Sequence, residues 1–435
     1  MNPATFAARV AARTPAHRDR TVDALRAVSI AGVILGHWLV SAVVSDPYQP
    51  SELHGESPLT YAGHLAPFSW LLQTLGPFFF AAGYAAARST GGGPWLRRRV
   101  RRLARPVLAF AAVWVPALAV LGAAGAPDRT RHVVESLVTH PLWFLLAYLV
   151  LTALTPVLRP LVARAGPWAV LPALALVAVT DALRGADLPS WWAPAMVPVG
   201  WAVPYLLGMA LAGDRLGRRA GPVLLTAGIV GGALLVLAAG YPASAVGVPG
   251  DRFSNLDPPS LFAMALALAQ VGLFLLVRPR LVAVLRRPAV WAPVAVANLA
   301  AMTLFLWHQT ALLLVTFAGL LAGRPAGLLD APDGAWPLAR LLWLPVLALV
   351  LAVLTMVFHR FEAPRVPSGR GTELPVRRVG GLERVGEQAL ERELGGADER
   401  GVVTEDRGAQ AQVFPADRQR HAEQPGAHVG GVGEV

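Results

Sequence analysis

Apolar positions along the first 360 residues fall into ten blocks. Each is near the ~20 residues that a helix needs to cross the hydrocarbon core of a bilayer. They run roughly over residues 21–44, 64–87, 106–124, 142–163, 167–183, 196–213, 222–240, 260–277, 294–320 and 338–359. The fifth and sixth are the shortest and contain Pro. Pro and Gly recur throughout, which membrane helices tolerate. The pattern predicts an all-α, polytopic membrane protein with about ten transmembrane helices.

After Pro364 the pattern stops. The stretch Arg365–Val435 holds one aromatic residue, Phe414, and neither Ile nor Met. Such a segment buries too little apolar surface to offset its ordering entropy. Three parts are therefore expected: an N-terminal cytoplasmic segment (1–20), a transmembrane domain (21–364) and a disordered cytoplasmic tail (365–435). An out-of-frame end is a second reading of the tail.

Composition narrows the function. The 435 residues are 55% hydrophobic and 15% charged, with a mean hydropathy of +0.50. A soluble domain is about 25% charged. There is no Cys, and no Lys, so all 38 basic residues are Arg. Disulfides, thiolate metal sites, a Cys nucleophile, Schiff-base chemistry and a P-loop Lys are excluded.

The net charge of +11 invites a nucleic-acid partner, but its distribution argues against one. Residues 366–435 carry 9 Arg and 12 acids, which leaves 29 Arg and 15 acids before them. With a cytoplasmic N-terminus, the inside segments hold Arg9, Arg13, Arg18 and Arg20, the run from Arg88 to Arg105, Arg159 and Arg164, Arg215 to Arg219, Arg278 to Arg287, Arg360 and Arg365. The outside loops hold Arg129, Arg131, Arg184, Arg252 and Arg324. This alternation follows the positive-inside rule and places both termini in the cytoplasm. The first twenty residues are too polar for a signal peptide, so the first helix reads as a retained anchor. An Arg-only, Ala-rich chain points to a GC-rich bacterial genome and a plasma-membrane location. No repeat stands out, which weighs against common transporter folds.

Ionisable groups inside a membrane helix are costly and default to functional candidates. The first helix holds Asp23, Arg26 and His37. At ~100° per residue, Arg26 and His37 share one stripe about 16 Å apart. Asp23, three residues before Arg26, is placed to pair with it. The alternative is a snorkelling Asp23–Arg26 pair and a His37 that merely bonds a neighbouring helix.

Val22-Asp23-Ala24-Leu25-Arg26-Ala27, followed by Gly36-His37, resembles the opening of the acyltransferase 3 family, with its Arg, ten residues, then His. Ala24 stands where the family usually has Gly. Gly76-Pro77-Phe78-Phe79-Phe80-Ala81-Ala82-Gly83-Tyr84 resembles its Gly…Phe-Phe…Ser-Gly-Tyr segment, with Ala82 for Ser. Arg97–Pro106 is similar to its basic loop. His140-Pro141-Leu142-Trp143-Phe144-Leu145, Leu304-Phe305-Leu306-Trp307-His308 and Phe361-Glu362-Ala363-Pro364 resemble its later motifs, in order.

The resemblance implies acyl transfer from cytoplasmic acyl-CoA, acetyl-CoA by default, to a hydroxyl acceptor. That acceptor would be a cell-envelope glycan, a lipid or a secreted small molecule. It makes His37 the general base or a transient acyl carrier, since His is matched to neutral pH. Arg26 would bind the phosphate end of the donor or orient Asp23. Arg98, Arg99, Arg101, Arg102 and Arg105 would bind coenzyme A phosphates. The competing role for that cluster is topogenic charge with lipid headgroup binding. His308 would assist His37 or shape the acceptor pocket; alone it is an interhelical hydrogen-bonding group. Trp143, Tyr148 and Trp191-Trp192 read as interfacial aromatics, and Tyr84, Gln73, Gln270 and Asn298 as interhelical glue. His64 sits at the outer rim, and Glu362 reads as structural. No permanently bound cofactor and no metal site are expected, since two intramembrane His without acids make a poor zinc site. A transporter or flippase, or an inactive scaffold, would carry the same helices without donor turnover.

Overall fold

The computed structural model describes residues 2–46, 48–49, 52–89 and 93–362. The expected tail, 365–435, lies outside the described residues. Helix α1 (Pro3–Ala12) starts on an Asn2 cap, and α2 (Arg20–Val40) on an Asp19 cap that accepts from the Thr21 and Val22 N–H groups. Side-chain oxygens at these positions satisfy otherwise orphaned helix donors. An antiparallel hairpin follows, β1 (Ala42–Ser45) with β2 (Leu53–Glu56), in the register Ala42↔Glu56.

After it come α3 (Pro58–Tyr61), a 3-10 turn, α4 (Ser69–Leu72), α5 (Leu75–Ala87), α6 (Gly93–Ala123), α7 (Asp128–Thr139) and α8 (Leu142–Ala165). A 3-10 turn, Gly166–Val170, leads into α9 (Leu171–Ala182). The chain continues through α10 (Trp192–Ala212), α11 (Ala220–Leu237), α12 (Leu261–Val284), α13 (Pro288–Leu299), α14 (Ala301–Leu321) and α15 (Trp336–Phe358).

Among the described residues, nine helical stretches are long and apolar enough to cross a membrane. The count differs from ten at the expected fifth segment. There the backbone joins α7, α8 and α9 into one stretch, Asp128–Ala182, of 55 residues. At 1.5 Å per residue that is roughly 80 Å, far beyond one crossing of ~30 Å. The stretch reverses at Gly166, whose φ of +56° closes α8 in a conformation that favours glycine.

Contacts at its two ends show that α9 runs the full depth of the bundle. Gly166 lies against Arg215, between α10 and α11. Asp181, near the other end of α9, accepts from the Leu261 N–H at 2.7 Å and from the Tyr241 hydroxyl at 2.9 Å. Leu261 opens α12 and Tyr241 follows α11, so α9 and α11 join the same two ends of the molecule. Burial pushes the Tyr241 hydroxyl up from its ordinary pKa, and the Asp181 bond adds to that shift. The expected ninth segment, 294–320, is also divided, because α13 stops at Ala300 and α14 begins anew.

Packing places α14 at the centre. Two thirds of its apolar stretch is buried (67%), against 11% for α6 and for α15, which face outward. α5 and α10 cross closely through glycine. A methyl group on Gly83 would fall 1.9 Å from the Tyr205 carbonyl oxygen, and one on Gly208 would fall 1.9 Å from that of Phe80. Small residues permit such backbone approach in membrane bundles, where apolar burial alone does not drive association. α11 and α12 pack similarly, with Gly228 against the Ala265 and Ala269 backbone.

Candidate active site

Helix α2 carries the site and is anchored at both ends. At its start, Asp19 accepts from Arg278 of α12 at 2.7 Å and from the Tyr84 hydroxyl of α5 at 3.2 Å. Burial acts to raise the Asp19 pKa, but hydrogen bonds from Thr21 and Arg278, with the Arg278 charge, outweigh it and hold the carboxyl below its usual value. At the far end, the buried Arg340 of α15 donates to the carbonyls of Trp38 (2.8 Å), Ser41 (3.1 Å) and Gly327 (3.0 Å). Trp38 Nε1 in turn donates to the His308 carbonyl at 2.9 Å. The two His-bearing helices, α2 and α14, are thus tied at the level of the histidines.

The stripe expected on α2 is present. Arg26, Ile30 and Val33 line a cavity of about 260 Å³, and Val33 and His37 line a second of about 100 Å³. Four side chains are common to both: Val33, Leu75, Phe144 and Phe305. They form an apolar neck between an Arg-lined chamber and a His-lined one.

The first chamber gathers Arg18, Arg26, Arg99 and Arg102, with Tyr148, Asn298 and Glu362. The expected Asp23–Arg26 pair is loose, at 3.9 Å, because Asp23 is engaged by Arg18 at 2.5 Å. Arg26 is instead oriented by Asn298, whose Oδ1 accepts from Arg26 Nε. Asn298 Nδ2 donates to the Asp23 and Val294 carbonyls, both at 2.9 Å, which fixes its amide. Arg99 donates through Nε to the Tyr148 hydroxyl at 2.7 Å, and its guanidinium lies over the Trp95 and Tyr148 rings.

The Arg cluster divides by helical face. Arg99, half-buried, and Arg102, at the exposed rim, line the chamber, whereas Arg98, Arg101 and Arg105, also exposed, do not. Glu362 accepts from the N–H groups of Met302 (3.0 Å) and Thr303 (2.9 Å), and so caps α14 beside the chamber.

The second chamber holds His37 with Gln73, Trp143 and His140. His308 sits behind His37, with ring centroids 5.1 Å apart, and lines neither chamber. Its Nδ1 meets the Phe305 carbonyl at 2.5 Å, so Nδ1 carries the proton and Nε2 a lone pair. Gln309 Nε2 lies 3.3 Å from His37 Nδ1. His64 lines neither chamber. Among the described residues, no three His, Asp or Glu side chains converge as metal ligands.

Several site residues differ from their sequence reading or escaped it. Tyr148 is buried and holds Arg99 instead of lying at an interface. Trp143 lines the His37 chamber. Asn298 is glue, as expected, and orients Arg26 as well. Gln270 bonds the Trp70 and Gln73 carbonyls, both at 2.8 Å, as glue alone. His140, Gln309 and Arg340 were not singled out. His140 opens the His-Pro-Leu-Trp-Phe-Leu motif, which was the available signal for it.

An arginine-lined chamber suits a phosphorylated ligand, and the histidine beyond the neck suits proton transfer at its far end. No match was found among curated proteins or among solved structures. A family model described as an acyltransferase domain matches residues 19–360, more than three quarters of the chain; the span includes all of α2 to α15, the second chamber and all of the first but Arg18 and Glu362. The chain is therefore a multi-pass membrane protein that belongs to the acyltransferase 3 family.

Proposed function

We propose that this acyltransferase moves an acyl group, acetyl by default, from acyl-CoA to a hydroxyl, with His37 as general base. The hydroxyl would belong to a cell-envelope glycan, a lipid or a secreted small molecule. One observation carries the reading: two chambers meet at a shared apolar neck, with arginines in one and His37 in the other, along a single helix. The phosphates of the donor would lie with Arg26, Arg99 and Arg102, at the cytoplasmic end expected from the Arg distribution. Its pantetheine arm would follow α2 through the neck at Val33 and present the thioester beside His37, about three turns or roughly 16 Å from Arg26.

The acceptor hydroxyl would enter the second chamber. His37 takes its proton as the oxygen attacks the thioester carbonyl carbon. The resulting tetrahedral oxyanion collapses, the C–S bond breaks, and the thiolate takes the proton back from the imidazolium. A transient acyl-imidazole on His37 would use the same geometry in two steps. The apolar lining of the neck would keep water from the thioester, which it would otherwise hydrolyse.

The test uses purified protein in nanodiscs with radiolabelled acetyl-CoA, wild type beside His37→Ala. Thiol release and label in extracted envelope material are measured. The expected result is release by the wild type and background release by the variant. Full activity of His37→Ala would remove His37 from the mechanism. No turnover with acetyl-, succinyl- or longer acyl-CoA would overturn the donor assignment.

A further inference from the structure

We infer that Gln309 is a positioning residue that fixes which ring nitrogen of His37 meets the substrate. The inference rests on the reading of His37 as the base. The Gln309 amide lies 3.3 Å from His37 Nδ1, and its side chain is buried. Whichever way the amide points, it occupies Nδ1, so Nε2 is the nitrogen left for an acceptor hydroxyl.

For Nε2 to take a proton it must hold a lone pair, and the ring proton must then sit on Nδ1. A proton on Nδ1 needs an acceptor, and Gln309 Oε1 is that acceptor when the amide carbonyl faces the ring. The two ends of an amide differ by a half-turn about its last torsion, and the hydrogen-bond network decides between them. With the amide nitrogen toward His37, Oε1 is buried without a partner. Turning the carbonyl to the ring pairs that oxygen with Nδ1–H and carries the amide nitrogen to the side where Oε1 stood. It also serves both states of the cycle, because Nδ1–H persists when Nε2 becomes protonated.

The neighbours leave this task to Gln309. His308 Nδ1 is committed to the Phe305 carbonyl, and its Nε2, a lone pair without a partner, has no proton to donate to His37. His140, the other titratable group facing His37, lines the second chamber with it. Gln309 lines neither chamber, so it acts through His37 and not on substrate.

The experiment compares Gln309→Glu and Gln309→Leu with wild type and His37→Ala in the acetyl-CoA assay. A carboxylate can only accept, so Gln309→Glu enforces the Nδ1–H form and should keep kcat within about tenfold of wild type. Gln309→Leu frees the ring and should lower kcat by about 100-fold or more, with the donor KM within about threefold. Loss of tautomer control costs about 10⁴ in a serine protease triad.

A purely structural role predicts the reverse order, because a buried site accepts Leu more readily than a charge. Leu at wild-type activity, or Glu below Leu, would overturn the inference. A second measurement needs no variant to fold at position 309. In ¹⁵N-histidine-labelled protein, with the His37 signal assigned by its loss in His37→Ala, the imidazole shifts should report Nδ1–H. An Nε2–H form would overturn the inference. If His37→Ala stays active, the proposed function falls. If it is inactive while Gln309→Leu is fully active, only the role of Gln309 falls.

Discussion

Arg101 and Arg102 are one peptide bond apart, yet the helix turns them to different surroundings. Only Arg102, with Arg99 three residues before it, lines the chamber that Arg26 enters. If that chamber holds the phosphates of the donor, the two faces of the cluster separate kinetically. A hydrogen bond to a charged group is worth about 1.5–3 kcal/mol, so Arg102→Ala should raise the acyl-CoA KM by roughly 10- to 100-fold. Arg101→Ala, on the face turned away from the chamber, should stay within about twofold. Michaelis constants for acetyl-CoA in nanodiscs check this, and equal effects at both positions would assign the cluster to topology and lipid instead. The i, i+3 spacing already showed that Arg98/Arg101 and Arg99/Arg102 form two faces. Which face looks inward depends on what packs against α6, and that is set by Tyr148, 49 residues away. The same limit applies to Arg26. Its spacing to His37 was visible in one helix, whereas Asn298, which orients it, is 272 residues distant.

Elements were legible where a block of apolar residues and its flanking charges agreed. α2, α10, α11 and α15 lie close to their expected bounds, whereas α12 starts where expected and runs on to Val284. Boundaries set by tertiary contact were not legible. α13 and α14 divide at Ala300 because Glu362, brought back by α15, caps a new helix start there. The glycines also needed the structure. Gly76 and Gly83 belong to a stretch that resembles a family motif, and each meets a neighbouring backbone: Gly76 the Ala267 Cα, Gly83 the Tyr205 carbonyl. Part of that motif is therefore packing, while Phe78 within it lines the arginine chamber. Gly83→Ala must push α5 from α10, and overpacking of this kind costs about 1–3 kcal/mol. Its apparent Tm in detergent should fall clearly below that of Gly63→Ala, because Gly63 has nothing within 4 Å of an added methyl. Equal melting of the two variants would mean that α5 and α10 do not cross as closely as described.

At the scale of the whole molecule, transfer from a cytoplasmic donor to an acceptor outside would need the two chambers to open toward different sides of the membrane, and that depends on the number of crossings. By length, α9 is the weakest crossing, with 12 residues spanning about 18 Å. The preceding five residues of 3-10 turn add roughly 10 Å, so the pair matches the ~27 Å of the 18-residue α11 beside it. The bonds of Asp181 to Tyr241 and Leu261 place the end of α9 with the loop between α11 and α12, and Gly166 places its start with Arg215. Both arguments add α9 to the nine apolar stretches found among the described residues, and ten is the count for which the Arg distribution predicts one sidedness. The chain has no cysteine, so single thiols report position without background. Ser136→Cys, Asp187→Cys and Gly217→Cys replace exposed residues before α8, after α9 and after α10. In sealed spheroplasts, a membrane-impermeant maleimide should label positions 136 and 187 directly, and position 217 only after permeabilisation. If α9 failed to cross, 187 would fall silent and 217 would label from outside, while 136 stayed the same. That pattern would place the α9–α10 and α11–α12 connections on the side opposite to the one the Arg distribution predicts. It would also break the contact of Gly166 with Arg215, because Gly166 would stay inside while the α10–α11 connection moved outside.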